Sequence, residues 1–138
     1  MSKTKITIET TISADAKKVW EYYNKPEHIT KWNFALDEWH CPSAENDLRV
    51  GGKLKSRMEA KDGSVGFDFE ATYNEIINEK KIAYTIADGR QVVTNFENMG
   101  NETKVTTTFE AENQNPVEMQ KSGWQAILDN FKKYVEAN

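Results

Sequence analysis

From Leu54 to Phe109, apolar and polar residues alternate in run after run, and each run ends at a turn signal. Gly51-Gly52 opens the first run, with Leu54, Ser56, Met58 and Ala60 on one face. Asp62-Gly63 follows, a pair suited to the positive φ angles of a tight hairpin, and then Val65, Phe67, Phe69, Ala71 and Tyr73 recur at period two. After Tyr73 the apolar parity slips to Ile76, which predicts a bulge near Asn74. Ile82, Tyr84 and Ile86 lead to Asp88-Gly89; Val92, Thr94 and Phe96 lead to the turn Asn98-Met99-Gly100-Asn101; Val105, Thr107 and Phe109 close the series. Alternate side chains of a strand point to opposite faces, so these hairpins make an antiparallel meander with one apolar face. That face requires a cover.

The C-terminal segment supplies one. Asn115 as N-cap, Pro116 at the first helical position and Glu118 three residues after the cap predict a helix start. Trp124, Ile127, Leu128, Phe131 and Val135 then share one face. At the other end, Ile6, Ile8, Thr10 and Ile12 alternate with polar residues as a half-buried strand. Ser13 reads as the N-cap of a helix with Asp15 in its first turn, and Ala16, Val19, Trp20 and Tyr23 form its buried stripe. Pro26 stops that helix, and a second short turn puts Ile29 and Trp32 on one face. The expected class is α+β: a strand, two short helices, a curved antiparallel sheet and a long helix packed on it.

Size and charge narrow the functional classes. A chain of 138 residues is expected to form one domain over 1–138, since there are no repeats, linkers or low-complexity stretches. The net charge of −4 comes from interspersed acids and bases, without the basic block that nucleic acid would require. A lone cysteine excludes an internal disulfide. The opening "MSKTKITIETTIS" lacks the continuous apolar core of a signal peptide, and no apolar run reaches the roughly 18 residues of a membrane helix. A cytoplasmic monomer with no membrane span is the expectation.

Three stretches together carry a family resemblance: "TISADAKKVWEYYNKPEHITKW" at 11–32, "RVGGKLKSRMEAKDG" at 49–63 and "GWQAILDNFKKYV" at 123–135. "FEATYNEIINEKKIAYTI" at 69–86 joins them. The chain resembles the START-like helix-grip (SRPBCC) superfamily, in particular the group related to the C-terminal domain of the activator of the heat-shock-protein-90 ATPase. It departs from many members in following Trp32 with Asn33-Phe34 rather than Trp-Gly-Pro. The resemblance implies about seven strands wrapped around the C-terminal helix, with an apolar cavity between them. In relatives such a cavity takes lipids, sterols, polyketides or plant hormones.

Two sets of side chains in the sequence have reactive chemistry. His28, His40 and Cys41 cluster in the sequence, but adjacent residues of an extended segment diverge, and a zinc site needs about four convergent ligands. No metal or cofactor is expected, and Cys41 reads as a small core filler. Asp37 and Glu38 near the presumed cavity mouth, or Glu59 and Glu70, are candidate acids and bases. Parity puts Glu59, Asp68 and Glu70 on the solvent face, and no triad, nucleophile elbow or phosphate loop is present. No catalytic residue is assigned.

The inward set carries the functional expectation. Trp32, Phe34, Trp39, Ser56, Met58, Phe67, Phe69, Tyr84, Thr94, Phe96, Trp124, Leu128 and Phe131 are expected to line the cavity, with Trp32, Phe34 and Trp39 at its rim. Ser56, Thr94 and Thr107 are small polar groups able to orient a ligand among apolar walls. The first functional reading is a non-enzymatic module that binds a small hydrophobic molecule, lipid-, sterol- or polyketide-like. The second, implied by the resemblance, is a chaperone-ATPase regulator with a role in stress response. Against it, the activator carries a further N-terminal domain for which a single-domain chain has no room. The third is a cavity enzyme like the aromatase and cyclase relatives.

Overall fold

Each alternating run becomes a strand. A computed structural model describes residues 4–138; Met1, Ser2 and Lys3, the head of the stretch read for a leader, lie outside the described residues. The elements are β1 (Lys5–Ile12), α1 (Ala16–Asn24), α2 (Pro26–Trp32), β2 (Trp39–Asn46), β3 (Lys53–Ala60), β4 (Gly66–Ile77), β5 (Lys81–Ile86), β6 (Gln91–Asn98), β7 (Thr103–Glu110) and α3 (Val117–Ala137). All seven strands form one curled antiparallel sheet in the order β1-β7-β6-β5-β4-β3-β2. Strands 3 to 7 are consecutive hairpin neighbours, while β1 and β2 stand at opposite edges. The connection through α1 and α2 therefore carries the chain across the open side of the sheet. With α3, those helices close the concave face.

The expected bulge falls between Tyr73 and Glu75, where the pairing of β4 with β5 shifts register. Asn74 turns outward there and donates to Thr85 Oγ1 at 2.7 Å. Gly63, Gly89 and Gly100 occupy the β3–β4, β5–β6 and β6–β7 turns with positive φ, the conformation a side chain resists. β2 was implied only by the resemblance, and its burial follows no alternation. Its pairing with β3 is irregular between His40 and Ser43, next to Pro42, which has no N–H to give the ladder.

Both helix starts differ from expectation. Asp15, not Ser13, caps α1: its Oδ1 accepts the Lys18 N–H at 2.9 Å. The Ser13 N–H instead donates to Glu136 near the end of α3, at 2.9 Å. At α3 the cap position is Pro116 and the helix begins at Val117, so Asn115 lies one residue outside. The fastening comes from Gln120, whose amide donates to the carbonyls of Glu112 at 3.1 Å and Asn115 at 2.7 Å and accepts the Glu112 N–H at 2.9 Å. Pro26 does end α1, and it also opens α2, where a residue without an N–H costs nothing.

The core lies between the concave face and the helices. Ile12, Val19, Ile82, Val92, Val105, Phe109, Phe131 and Val135 are completely enclosed. Truncating such a phenylalanine typically costs about 3–5 kcal/mol. Among the described residues, no helix is long and apolar enough to cross a membrane.

Candidate functional site

Inward parity alone would fill the concave face, yet a cavity of about 280 Å³ remains between the sheet and the three helices. The sheet contributes Ile8, Leu54, Ser56, Met58, Phe67, Phe69, Tyr73, Ile82, Tyr84 and Thr107. The helices contribute Tyr23, Asn24, Ile29, Trp32, Trp124, Ile127 and Leu128, and Asn33, Asn46 and Arg90 complete the wall. β4 reaches further than one of the strands beside it. It pairs with β3 as far as Gly66 but with β5 only from Ala71 onward, so the β3–β4 hairpin projects past its neighbour. Phe67 sits on that projection and is 52% exposed although its side chain belongs to the cavity wall.

Eight of the residues expected to line the cavity do so in the structure: Trp32, Ser56, Met58, Phe67, Phe69, Tyr84, Trp124 and Leu128. Five lie elsewhere. Phe96 packs edge-on against Trp20 and Tyr23, with centroids 5.2 and 5.3 Å apart. Phe131 packs edge-on against Tyr23 at 5.2 Å and Trp32 at 4.7 Å. Thr94 is enclosed, its hydroxyl 2.9 Å from that of Thr107. All three point inward, but α1 and α3 come close enough there to leave no space. Phe34 follows α2, and Trp39 starts β2 and packs on Phe67 at 6.0 Å; both are half-buried and off the cavity wall. Trp32 is not a rim residue but a buried one, 6% exposed, its indole N–H donating to the Tyr22 carbonyl at 2.9 Å.

Tyr23, Tyr73 and Ile127 were legible as inward positions but not as wall. Asn24, Asn33, Asn46 and Arg90 carry no periodic signal, because they sit at or beyond the ends of their elements.

The polar groups of the wall are mostly engaged. Asn46 accepts the Tyr73 hydroxyl at 2.5 Å and donates to the Asn24 carbonyl at 2.7 Å. Asn24 Nδ2 donates to the Trp20 carbonyl at 2.9 Å. Burial pushes the Tyr73 and Tyr84 hydroxyls well above the ordinary phenol range, and the neighbouring Tyr23 raises both further. Burial also raises Tyr23, against the opposing effect of the Thr94 and Thr107 hydroxyls. All three phenols stay neutral at physiological pH. Arg90 Nε pairs with Asp88 at 2.8 Å.

Ser56 is the exception. It is 1% exposed, and among the described residues its Oγ is the one enclosed side-chain polar atom with no hydrogen-bond partner. Leaving a buried hydroxyl unmatched costs about 1–3 kcal/mol.

The reactive candidates are dispersed. His28 stacks on Tyr22 at 4.0 Å, and its Nδ1 meets the Tyr134 hydroxyl at 2.7 Å, fastening α2 to α3. His40 faces Glu59 at 3.8 Å on the outer surface. Cys41 is buried and its thiol donates to the Ser43 carbonyl at 3.4 Å; burial raises its pKa, with nearby polar groups of Asn33, Ser56 and Ser43 opposing. Among the described residues, no group of three or more His, Cys, Asp or Glu side chains is placed to hold a metal ion. Glu59, Asp68 and Glu70 pair with Arg57 and Lys55 on the outer face, and Asp37 and Glu38 are exposed.

Comparison with known proteins agrees with this geometry. The model of the family described as Activator of Hsp90 ATPase homolog 1-like protein matches residues 13–136. A solution structure of an AHSA1-like protein from Aeromonas hydrophila is 42% identical with a TM-score of 0.92, over 97% of this chain and 93% of that one. A solution structure of a Cytophaga hutchinsonii protein is 49% identical with a TM-score of 0.83, over the same shares, 97% and 93%. A Chromobacterium violaceum crystal structure shares the fold at 22% identity and a TM-score of 0.86, over 98% of this chain and 99% of that one. No curated protein matches.

Proposed function

The chain belongs to the Activator of Hsp90 ATPase homolog 1-like family, within the helix-grip superfamily, and on that footing we propose that it is a binding module for a small hydrophobic molecule held between the sheet and α3. The observation that carries this reading is the cavity itself, about 280 Å³ with a largely apolar wall that includes the half-exposed Phe67. Ligand pockets are commonly about 300–1,000 Å³ and bury most of their occupant among apolar side chains with a few polar groups. A cavity just below that range suits a one- or two-ring molecule better than a whole sterol or diacyl lipid. Affinity would come from apolar area removed from water, at about 25 cal/mol per Å².

Native mass spectrometry of protein purified from its own cell tests this reading, together with NMR titration against a metabolite and lipid extract. The expected result is a small organic adduct and shifts at Trp32, Phe69 and Trp124. An extract that leaves those resonances unmoved overturns it.

A second reading, regulation of a chaperone ATPase, draws on the family description. Exposed Leu36, Val65 and Phe67 offer apolar surface for such a contact. An ATPase assay with the cognate chaperone tests it: an unchanged rate together with failed co-purification removes it. A cavity enzyme ranks third, since Asp37 and Glu38 point to solvent away from the wall.

A further inference from the structure

One position of the wall departs from the pattern around it. Ser56 lies between Leu54 and Met58 on the inner face of β3, opposite Phe69, where period and neighbours call for an apolar residue. Its hydroxyl is enclosed and borders the cavity; the Cys41 thiol lies near it, but that thiol donates to the Ser43 carbonyl at 3.4 Å, which leaves the hydroxyl without a well-formed hydrogen bond. An alanine would avoid the unmatched oxygen, and a weak contact with a thiol committed elsewhere does little to offset it. The amides of Asn24 and Asn46 in the wall are committed within the fold, as is the Thr107 hydroxyl.

Charge narrows the partner. Among the described residues of the wall, Arg90 alone carries a charge, and Asp88 balances it through both its Nε at 2.8 Å and its backbone N–H at 3.1 Å. Nothing else in the wall would compensate an ionised group brought in from water, and a buried charge without a partner is strongly disfavoured. The three wall tyrosines are held in their neutral forms by burial, which keeps that environment uncharged.

Building on the binding reading above, we infer that the occupant is a compact neutral molecule whose apolar body carries an oxygen, as a carbonyl or a hydroxyl, that completes the hydrogen bonding of Ser56. A serine hydroxyl donates one bond and accepts others, so it serves either oxygen. An acidic ligand is disfavoured, and so is a pure hydrocarbon, which would displace any solvent and leave the hydroxyl unmatched.

A matched set of bicyclic probes tests this: tetralin, its ketone tetralone, its alcohol tetralol and its carboxylate, each titrated by NMR against the whole protein and against Ser56→Ala. The oxygenated neutral probes are expected to bind about tenfold more tightly than tetralin, the usual weight of one neutral hydrogen bond, and the carboxylate most weakly. In Ser56→Ala the advantage over tetralin should fall to about twofold or less, because tetralin no longer leaves a hydroxyl unmatched and gains affinity while the oxygenated probes lose their bond. Should that variant fold poorly, Ser56→Cys, similar in size with a weak donor, is expected to show the same loss of preference. Equal binding of tetralone, tetralol and tetralin overturns the inference while leaving the cavity reading intact, and assigns the hydroxyl to water. A preference that survives both substitutions also overturns it. So does tightest binding by the carboxylate. If none of the four shifts any cavity resonance, the binding reading falls, and this inference with it.

Discussion

Phe109 of β7 and Trp124 of α3 stack face to face, with ring centroids 3.9 Å apart and planes 11° from parallel. The contact joins the sheet to the first half of the long helix, and Trp124 also forms part of the cavity wall. Trp124→Ala should therefore lower stability by about 2–4 kcal/mol, through lost burial and the lost ring pair. Trp124→Phe should cost less than half of that. Urea denaturation measures both; an alanine variant as stable as the parent would contradict the assignment.

Gly52 is a second sensitive point. Its carbonyl accepts the Tyr73 N–H at 3.0 Å, and a Cβ added there would run into the carbonyl oxygen of Asp47. Backbone, unlike a flexible side-chain tip, yields little. Gly52→Ala should cost about 2 kcal/mol or more. Gly51→Ala meets open space and pays chiefly for its positive φ of 84°, on the order of 1 kcal/mol. Thermal unfolding of the two variants side by side should give that ranking, and the reverse order would refute it.

The buried tyrosines make stability sensitive to alkali. Tyr23, Tyr73 and Tyr84 ionise with more difficulty folded than unfolded, because burial penalises the phenolate. A group whose folded pKa is raised contributes fully below its unfolded pKa, and that contribution is lost as the pH climbs above it. The protein should hold its stability up to about pH 10 and weaken beyond it, by as much as about 1.4 kcal/mol per pH unit for each such tyrosine. Ultraviolet titration should show part of the tyrosinate signal appearing only with unfolding. Full ionisation of all five tyrosines in a folded protein would sink this expectation.

Cys41 should behave as an inert thiol. It is 2% exposed and burial raises its pKa, so both access and thiolate fraction are low. A disulfide reagent at neutral pH should label it only on the unfolding timescale. Labelling at the rate of a small free thiol would show that the site opens readily.

Tyr134 should matter to stability and not to the cavity. Its hydroxyl meets His28 at 2.7 Å outside the wall, so Tyr134→Phe should cost about 0.5–1.5 kcal/mol and leave probe affinities unchanged. Calorimetry combined with the NMR titrations separates the two effects.

Much of this molecule is written in local periodicity. The inward faces of β3 to β7, the bulge beside Asn74, the turns at Gly63, Gly89 and Gly100, and the buried stripe of α3 all follow from spacing along the chain. The direction a side chain takes depends on its own backbone, and a few neighbours reveal it. The helix starts were less legible: α1 begins at Ala16, so the cap falls to Asp15, while the Ser13 N–H is held by Glu136, 123 residues away. Strand β2 escaped for a related reason, since its irregular pairing around Pro42 erases the alternation that marks a strand.

Tertiary structure alone decided which inward residues fill the core and which face empty space. Phe96 and Phe69 have the same parity, yet Phe96 is wedged between Trp20 and Tyr23, while Phe69 borders the cavity. The difference lies in how closely α1, α2 and α3 approach each part of the sheet, and that separation is set by contacts between residues far apart in the chain. Ser56 shows the division most plainly. Alternation along β3 places it inward, and only the packed fold leaves its hydroxyl enclosed at the edge of a cavity with no partner of its own.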